Sequence, residues 1–198
     1  MTPLKDGLHE IAPGKVPMVV THLEMLSPAN GRDVMAPEGV TFQKITASVA
    51  DYRTLFDHIG SDWLWYGRRL LDDQSLNEIL QDPRVEIYTL RQAGRDEAIL
   101  ELDFREDAAC ELSYFGVSAP LVGTGAGRYL MNQAVHLAWS KPIRRFRVHT
   151  CTIDSPKALG FYMRSGFTPY KRQIEIADDP RLLGIIPKTK GQHVPIIE

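Results

Sequence analysis

Val117-Ser-Ala-Pro-Leu-Val-Gly-Thr-Gly-Ala-Gly-Arg-Tyr-Leu-Met131 is the stretch on which the reading of this chain turns. An apolar run of strand formers, Leu112 to Val117, leads into it. Glycines stand at 123, 125 and 127, and an amphipathic helical pattern follows. Strand, glycine turn and helix start, in that order, make a site for a phosphate. The first amides of a helix lack partners inside it, and the helix dipole adds partial positive charge there. Glycines let the backbone come close to phosphate oxygens. Two familiar phosphate loops do not fit. The dinucleotide fingerprint needs Gly-x-Gly-x-x-Gly, and here the third spacing fails. The triphosphate loop needs a Gly-Lys-Ser/Thr ending, which is absent.

The chain has 198 residues, 43% of them hydrophobic, enough for one domain with a sizeable core. Its formal net charge of −2 supplies no broad basic footprint, which argues against nucleic acid as a partner. Lys141, Arg144, Arg145 and Arg147 form the one dense basic patch and read first as a solvated loop before a strand, and second as a contact to a ligand's phosphate. Cys110 and Cys151 make neither a disulfide framework nor a zinc site and are expected as buried thiols. With no metal motif, no leader and no long apolar span, the expectation is a metal-free cytoplasmic protein with no membrane partner.

Upstream of the glycine loop, Val16–Leu26 and Val40–Ile45 read as strands, with a Pro- and Gly-marked loop between them. Ser48 caps a helix that carries Tyr52, Leu55, Phe56 and Ile59 on one face and ends at Gly60. Trp63, Trp65 and Tyr66 then crowd beside Arg68 and Arg69. They read either as core filler or as the aromatic wall of a substrate pocket. Leu70–Leu80 is the next helix, restarting at Ser75. A three-stranded meander follows over Val85–Arg91, Ala98–Arg105 and Cys110–Ser118, with a hairpin turn at 93–96. After the loop comes a helix with a wide apolar stripe, then a strand over Phe146–Thr152. A helix starts at Asp154-Ser155-Pro156, and a strand runs over Phe167–Ile176. Pro180, Pro187 and Pro195 mark an extended tail whose leucines and isoleucines pack on the body or on a second copy in a homodimer.

Two stretches together resemble the GNAT N-acetyltransferase superfamily. The first is Val122-Gly123-Thr124-Gly125-Ala126-Gly127 with Arg128, similar to that family's acetyl-CoA loop, with Val122 where Gln or Arg is usual. The second is Asp154, Ala158, Phe161-Tyr162 and Gly166-Phe167, in the order and spacing of the family's other signature, with Asp154 where Asn is usual. The resemblance spans roughly residues 111–170. It implies an α/β (α+β) GNAT acyl-CoA N-acyltransferase fold: a single domain with a mixed, mostly antiparallel central sheet flanked by helices. Residues 40–176 would form that domain, 1–39 an arm with one strand, and 177–198 the tail.

The resemblance also implies an activity, transfer of the acetyl group of acetyl-CoA to a primary amine of a small molecule or peptide. The same fold can serve instead as a non-catalytic acyl-CoA-binding or sensing module. The backbones of Phe115 and Val117 would pair with the pantetheine amides. The amides of Gly123, Thr124, Gly125, Ala126, Gly127 and Arg128 would surround the diphosphate. Val122, Asp154, Lys157 and Phe161 complete the expected cofactor site. Tyr162 is the expected acid toward the leaving sulfur, because a phenol with a pKa near 10 is protonated at neutral pH. Glu111 is the expected base. It is read on the strand face of Ser113, Phe115 and Val117, where desolvation would raise its pKa. Glu101 competes for that role and His149 is a third candidate. Trp63, Trp65, Tyr66, Glu101 and His149 form the expected acceptor side.

Overall fold

A computed structural model describes residues 4–198. The alternating apolar segments become eight strands: β1 (Lys15–Met25), β2 (Val40–Ile45), β3 (Val85–Gln92), β4 (Arg95–Asp96), β5 (Ala98–Asp103), β6 (Ala109–Val117), β7 (Arg145–Cys151) and β8 (Thr168–Asp178). Four α-helices join them: α1 (Val49–Gly60), α2 (Asp73–Gln81), α3 (Ala126–Trp139) and α4 (Ala158–Arg164). The strands make one sheet in the order β2-β3-β5-β6-β7-β1-β8, with β4 beside β3. Every pairing is antiparallel except β6 with β7. The sheet is therefore mixed and mostly antiparallel, flanked by helices, as expected.

Successive residues of a strand face opposite sides of a sheet, and β5 separates the two sides of this core. Ala98, Leu100 and Leu102 face Leu130, Met131 and Ala134 of α3 and Tyr162 of α4. Ile99 faces Tyr52, Leu55, Phe56 and Ile59 of α1 and Leu76 of α2. Tyr52 and Phe56 are fully buried, so truncating Phe56 to alanine would cost about 3–5 kcal/mol. Local chemistry starts and stops these elements. The Ser48 side chain accepts the Asp51 amide at 3.1 Å, as a helix cap does. The β3–β4 hairpin turns on Ala93 and Gly94, both at positive φ (48° and 79°), which a two-residue turn of this hand requires.

Two expectations need correction. The helix read over 70–80 starts at Asp73, because the Asp72 carboxylate takes the Ser75 amide at 2.7 Å and caps it there. Leu70 and Leu71 belong to the preceding turn. The helix read from Asp154 starts only at Ala158, because the Asp154 carboxylate is committed to strand and loop donors instead. Sequence reading also passed over a 3₁₀ turn at Ala119–Leu121, just before the glycine loop.

The first strand lies inside the sheet. β1 pairs with β7 on one side and β8 on the other, so β8 is the outer edge. Val16, Met18 and Val20 of β1 pack with Leu64, Ile153 and Ile186, the last from the C-terminal segment. That segment is clipped by Arg181, whose side chain is 1% exposed. Its guanidinium meets both Asp179 oxygens and donates to the carbonyls of Lys190, Gly191 and Val194 at 3.3, 3.0 and 2.8 Å. Cys110 and Cys151 are both free, and burial pushes both thiols up, Cys151 to about 12. No helix among the described residues is long and apolar enough to cross a membrane.

Candidate active site

The site begins where the one parallel pairing ends. β6 and β7 pair at Ala109–Arg145, Cys110–Phe146 and Glu111–Arg147, and no further. Beyond Glu111, β6 stays with β5 and β7 stays with β1, so the sheet opens into a split. Ser118 N–H donates to Glu97 O on the β5 side at 2.9 Å. Amides alternate sides along an extended strand, so those of Phe115 and Val117 point into the split. This is the edge on which an extended ligand can add as a strand.

At one end of the split lies the glycine loop. Gly123 and Gly125 sit at φ 85° and 93°, the left-handed region that other residues avoid. These dihedrals turn the chain so that several amides are left without an acceptor. Thr124 N–H reaches Leu121 O at 3.4 Å and Ala126 N–H reaches Thr124 Oγ1 at 3.3 Å. The first helical bond of α3 is Tyr129 N–H to Gly125 O. The amides of Gly123, Gly125, Gly127 and Arg128 therefore remain open among the described residues, while two of the six expected donors are already spent. Gly127 adds a separate observation. Its φ is not positive, and a Cβ built on it would meet nothing within 4 Å. Nothing in this chain's own packing calls for a glycine there, whereas a closely seated diphosphate would. Val122 is 60% exposed beside the loop. Lys157 is exposed just before α4.

The other end is crowded. Phe115 stacks on Phe161, with ring centroids 5.7 Å apart, and both flank Tyr162. Tyr162 is 7% exposed and makes no hydrogen bond to another protein group among the described residues. Burial, and then the charge of Asp154, push its hydroxyl pKa well above 10. On the opposite face, Trp65 bridges the split. Its ring lies over Gly116, where a Cβ would meet the Trp65 Cη2 at 3.2 Å, and its Nε1 donates to Asp154 Oδ1 at 3.2 Å. The other Asp154 oxygen accepts from Thr150 Oγ1 at 2.6 Å and from Cys151 N–H at 2.9 Å.

Two acid–base expectations change here. Between its pairs with Glu101 and Leu102, β6 carries an extra residue, Ser113, as a bulge. Past a bulge the alternation of faces reverses. Glu111 therefore faces the same side as Tyr114 and Gly116, away from Phe115 and Val117. There it meets His149 Nδ1 at 3.6 Å and Arg147 Nη2 at 2.8 Å. Its pKa goes down, to about 2, through the contact with His149 and then Arg147, against a desolvation that works the other way. The expected rise does not occur. Glu101 is also unavailable as an acceptor-side group. It is fully buried under α1 and held by the Arg68 guanidinium and the Tyr52 hydroxyl.

His149 stands two residues past the last β6–β7 pair, at the mouth of the split, with a half-exposed side chain. The Glu111 carboxylate beside it raises its pKa, with burial opposing. Tyr66 donates to Glu175 at 3.1 Å, and Trp63 stands edge-on to His193 with centroids 5.5 Å apart. A cavity of about 690 Å³ lies between Trp63, Asp154, Gln192 and His193. The C-terminal wall of that cavity was missed in the sequence, where Gln192 and His193 carry no motif. No group of three or more metal-ligating side chains occurs among the described residues.

Comparison with known proteins follows the same outline. The chain is similar to a GCN5-related N-acetyltransferase from Sphaerobacter thermophilus, at 16% identity and TM-score 0.61, over 88% of this chain and 54% of that one. It thus spans about half the length of that neighbour. A putative acetyltransferase of the GNAT family from Novosphingobium aromaticivorans aligns at 15% identity and TM-score 0.57, over 84% of this chain and 68% of that one. A GNAT family acetyltransferase from Elizabethkingia anophelis with acetyl-CoA bound aligns at 16% identity and TM-score 0.52, over 68% and 79%. No curated protein matches the chain. The family model for the Acetyltransferase (GNAT) family matches residues 54–167, from inside α1 to the start of β8, and the chain belongs to that family.

Proposed function

We propose that this chain is an N-acetyltransferase that moves the acetyl group of acetyl-CoA to a primary amine by direct attack on the thioester. The observation that carries this reading is the run of open amides at Gly123, Gly125, Gly127 and Arg128, leading straight into the β6–β7 split. Acetyl-CoA supplies an acetyl group already activated as a thioester. The residues named here would hold it. The four amides and the α3 dipole take the diphosphate. The Phe115 and Val117 backbones take the pantetheine arm. Phe115 and Phe161 exclude water along it.

The proton steps fall to the other end of the split. The amine must be neutral to attack, so a base near the opening has to take its proton. Glu111, held near pKa 2, is a weak base at neutral pH. His149 has its pKa raised by the neighbouring Glu111 and stands at the mouth of the split. His149 is the base in this proposal, and Glu111 is the carboxylate that orients its ring. Tyr162, with a pKa pushed far above that of a thiol, stays protonated. It serves the leaving sulfur as a hydrogen-bond donor, and the sulfur's final proton is the one released by the amine. The amine enters past Trp63 and Trp65, and Asp154 and His193 line that approach. Holding both reactants in line contributes up to roughly 7–11 kcal/mol of barrier lowering in favourable cases.

Isothermal titration with acetyl-CoA tests the cofactor half. Heat at micromolar cofactor is expected, and none at millimolar would sink it. Free-thiol release across a panel of amines tests the transfer half. One observation favours a second reading, a non-catalytic acyl-CoA-binding module: every carboxylate at the thioester end is already engaged. Tight cofactor binding with no thiol release from any amine would support that module instead.

A further inference from the structure

The fold brings three arginines, far apart in sequence, to one cavity. It has a volume of about 730 Å³ and lies between the 27–39 loop, the outer side of α3 and the C-terminal end of α4. Arg32, Arg128 and Arg164 line it. Each is placed by a separate contact. The Asn132 side chain of α3 donates to the Arg32 carbonyl at 2.7 Å, and Gly31 packs so close to Asn132 that a Cβ would meet its Oδ1 at 2.7 Å. Arg128 donates to Ser165 Oγ at 2.8 Å and lies 4.9 Å over the Phe161 ring. Arg164 folds back along α4 over Gly160, where its Nη1 stands 2.9 Å from the place a Cβ would take.

None of the three makes an ion pair among the described residues. Asp33 also lines the cavity and bridges to none of them. Burial, then Arg164 and Arg32, push the Arg128 pKa down, so the guanidinium groups feel one another's charge. The chain as a whole carries a net charge of −2, so carboxylates were available, yet none pairs with these arginines among the described residues. Uncompensated like charges raise the free energy of the empty site and are recovered by an anion that satisfies them together. The anion's place relative to the cofactor follows from Arg128. Its N–H is the last of the open amides, and its side chain reaches from the same first turn of α3 into this cavity. In coenzyme A, one ribose separates the diphosphate from a phosphomonoester at the 3′ position.

We propose that Arg32, Arg128 and Arg164 form a phosphomonoester subsite that receives the 3′-phosphate of coenzyme A, so that the chain distinguishes coenzyme A from its 3′-dephospho form. This rests on the cofactor reading above. Planar guanidinium forks match a phosphate dianion better than lysines would, and the cavity leaves room for the adenosine beside them.

Calorimetric titration of the full chain with coenzyme A and with 3′-dephospho-coenzyme A tests it, alongside the Arg32→Gln/Arg164→Gln double variant. Both residues are solvent-exposed, so the variant keeps the fold, which its thermal midpoint checks. Wild type should bind the dephospho form at least 30-fold more weakly. The double variant should lose ten-fold or more for coenzyme A and bind the dephospho form like wild type. A lysine pair at the same positions should recover part of the loss. Equal wild-type affinity for both ligands, or a double variant that weakens both alike, overturns the arginine subsite while leaving the cofactor reading intact. Failure of wild type to bind either ligand overturns the cofactor reading itself. Inorganic phosphate is the remaining arm. If it binds through these arginines while the two nucleotides bind equally, the anion is free phosphate and the assignment falls.

Discussion

The two ends of the β6–β7 split are built on opposite principles. At the glycine loop the protein leaves its own hydrogen-bonding groups unpaired: four amides open to solvent, and a glycine at 127 that its own packing does not need. At the thioester end almost every polar group already has a partner. Glu111 holds Arg147 and His149, Glu101 holds Arg68 and Tyr52, and Asp154 holds Trp65, Thr150 and the Cys151 amide. The Tyr162 hydroxyl is the exception. An anion site works by vacancy, because fixed donors wait for charge that the ligand brings. A proton-transfer site works by prior engagement, because its partners set the pKa values that let a group act near neutral pH.

Removing an uncommitted hydroxyl at the crowded end is the severest test of this contrast. Tyr162→Phe should lower kcat by about 10²–10³-fold, the usual cost of removing one hydrogen-bond donor aimed at charge that develops in the transition state. Its affinity for acetyl-CoA should stay within about two-fold, because the phosphate end is untouched. Turnover that survives the change would remove the phenol from the chemistry.

Breaking a pre-engaged partner should act differently. Glu111 has a folded pKa near 2 against an ordinary 4.5, so it stabilises the fold at pH values above about 4.5 and loses that contribution as pH falls through about 2. His149 has the opposite sign: its raised pKa stabilises the fold below about 6.5, and that share is lost as pH rises through the folded value. Glu111→Gln should therefore cost on the order of 3 kcal/mol near neutral pH. Urea unfolding should show the gap from wild type narrowing steadily as pH falls below 4.5. The same variant should shift the acidic limb of the turnover profile to lower pH, because His149 loses the partner that held its proton. A limb that stays in place would mean that His149 is not the base.

At the open end the corresponding test is to fill the vacancy. Gly127→Leu puts a side chain where nothing of the protein stands. Acetyl-CoA affinity should fall about 100-fold, or about 2.7 kcal/mol. The thermal midpoint should hold or rise, since leucine favours a helix over glycine by roughly 0.5–1 kcal/mol. Loss of binding with gain of stability is a pairing that a merely structural glycine would not produce.

The same contrast explains what could be read without coordinates. The open end is local in sequence: a strand, three glycines and a helix follow one another, and each imposes its geometry on its neighbours. Its residues and most of its donors were legible there. Thr124 and Ala126 were misjudged because short-range turns consumed their amides. The crowded end is long-range. The face of Glu111 depended on one extra residue at Ser113, which no period-two reading of β6 can detect. The burial of Glu101 depended on α1 lying over it and on Arg68 from a loop. Charge density was a poor guide for the same reason. In the basic run 141–147, Lys141, Arg145 and Arg147 are neutralised by Glu86, Glu24 and Glu106 with Glu111. The unpaired cluster is assembled from Arg32, Arg128 and Arg164, scattered along the chain. Overall architecture tolerated these errors, because strand alternation and helix caps are themselves local, whereas β1's insertion between β7 and β8 is long-range and was hidden.

The mildest change probes whether the open end is complete. Val122 is exposed beside the loop at the position where the family usually carries Gln or Arg, and its side chain offers no donor. If the amides and the α3 dipole carry the diphosphate by themselves, Val122→Gln adds one solvent-exposed hydrogen bond. It should tighten acetyl-CoA by only about two- to five-fold, in line with a net gain of roughly 0.5–1 kcal/mol. Val122→Arg should gain slightly more at low salt and lose the excess above about 0.3 M, where surface charges are screened. A gain of a hundred-fold from either change would show that the backbone cradle is only half a site. The contrast between the two ends would then rest on a missing side chain rather than on a deliberate vacancy.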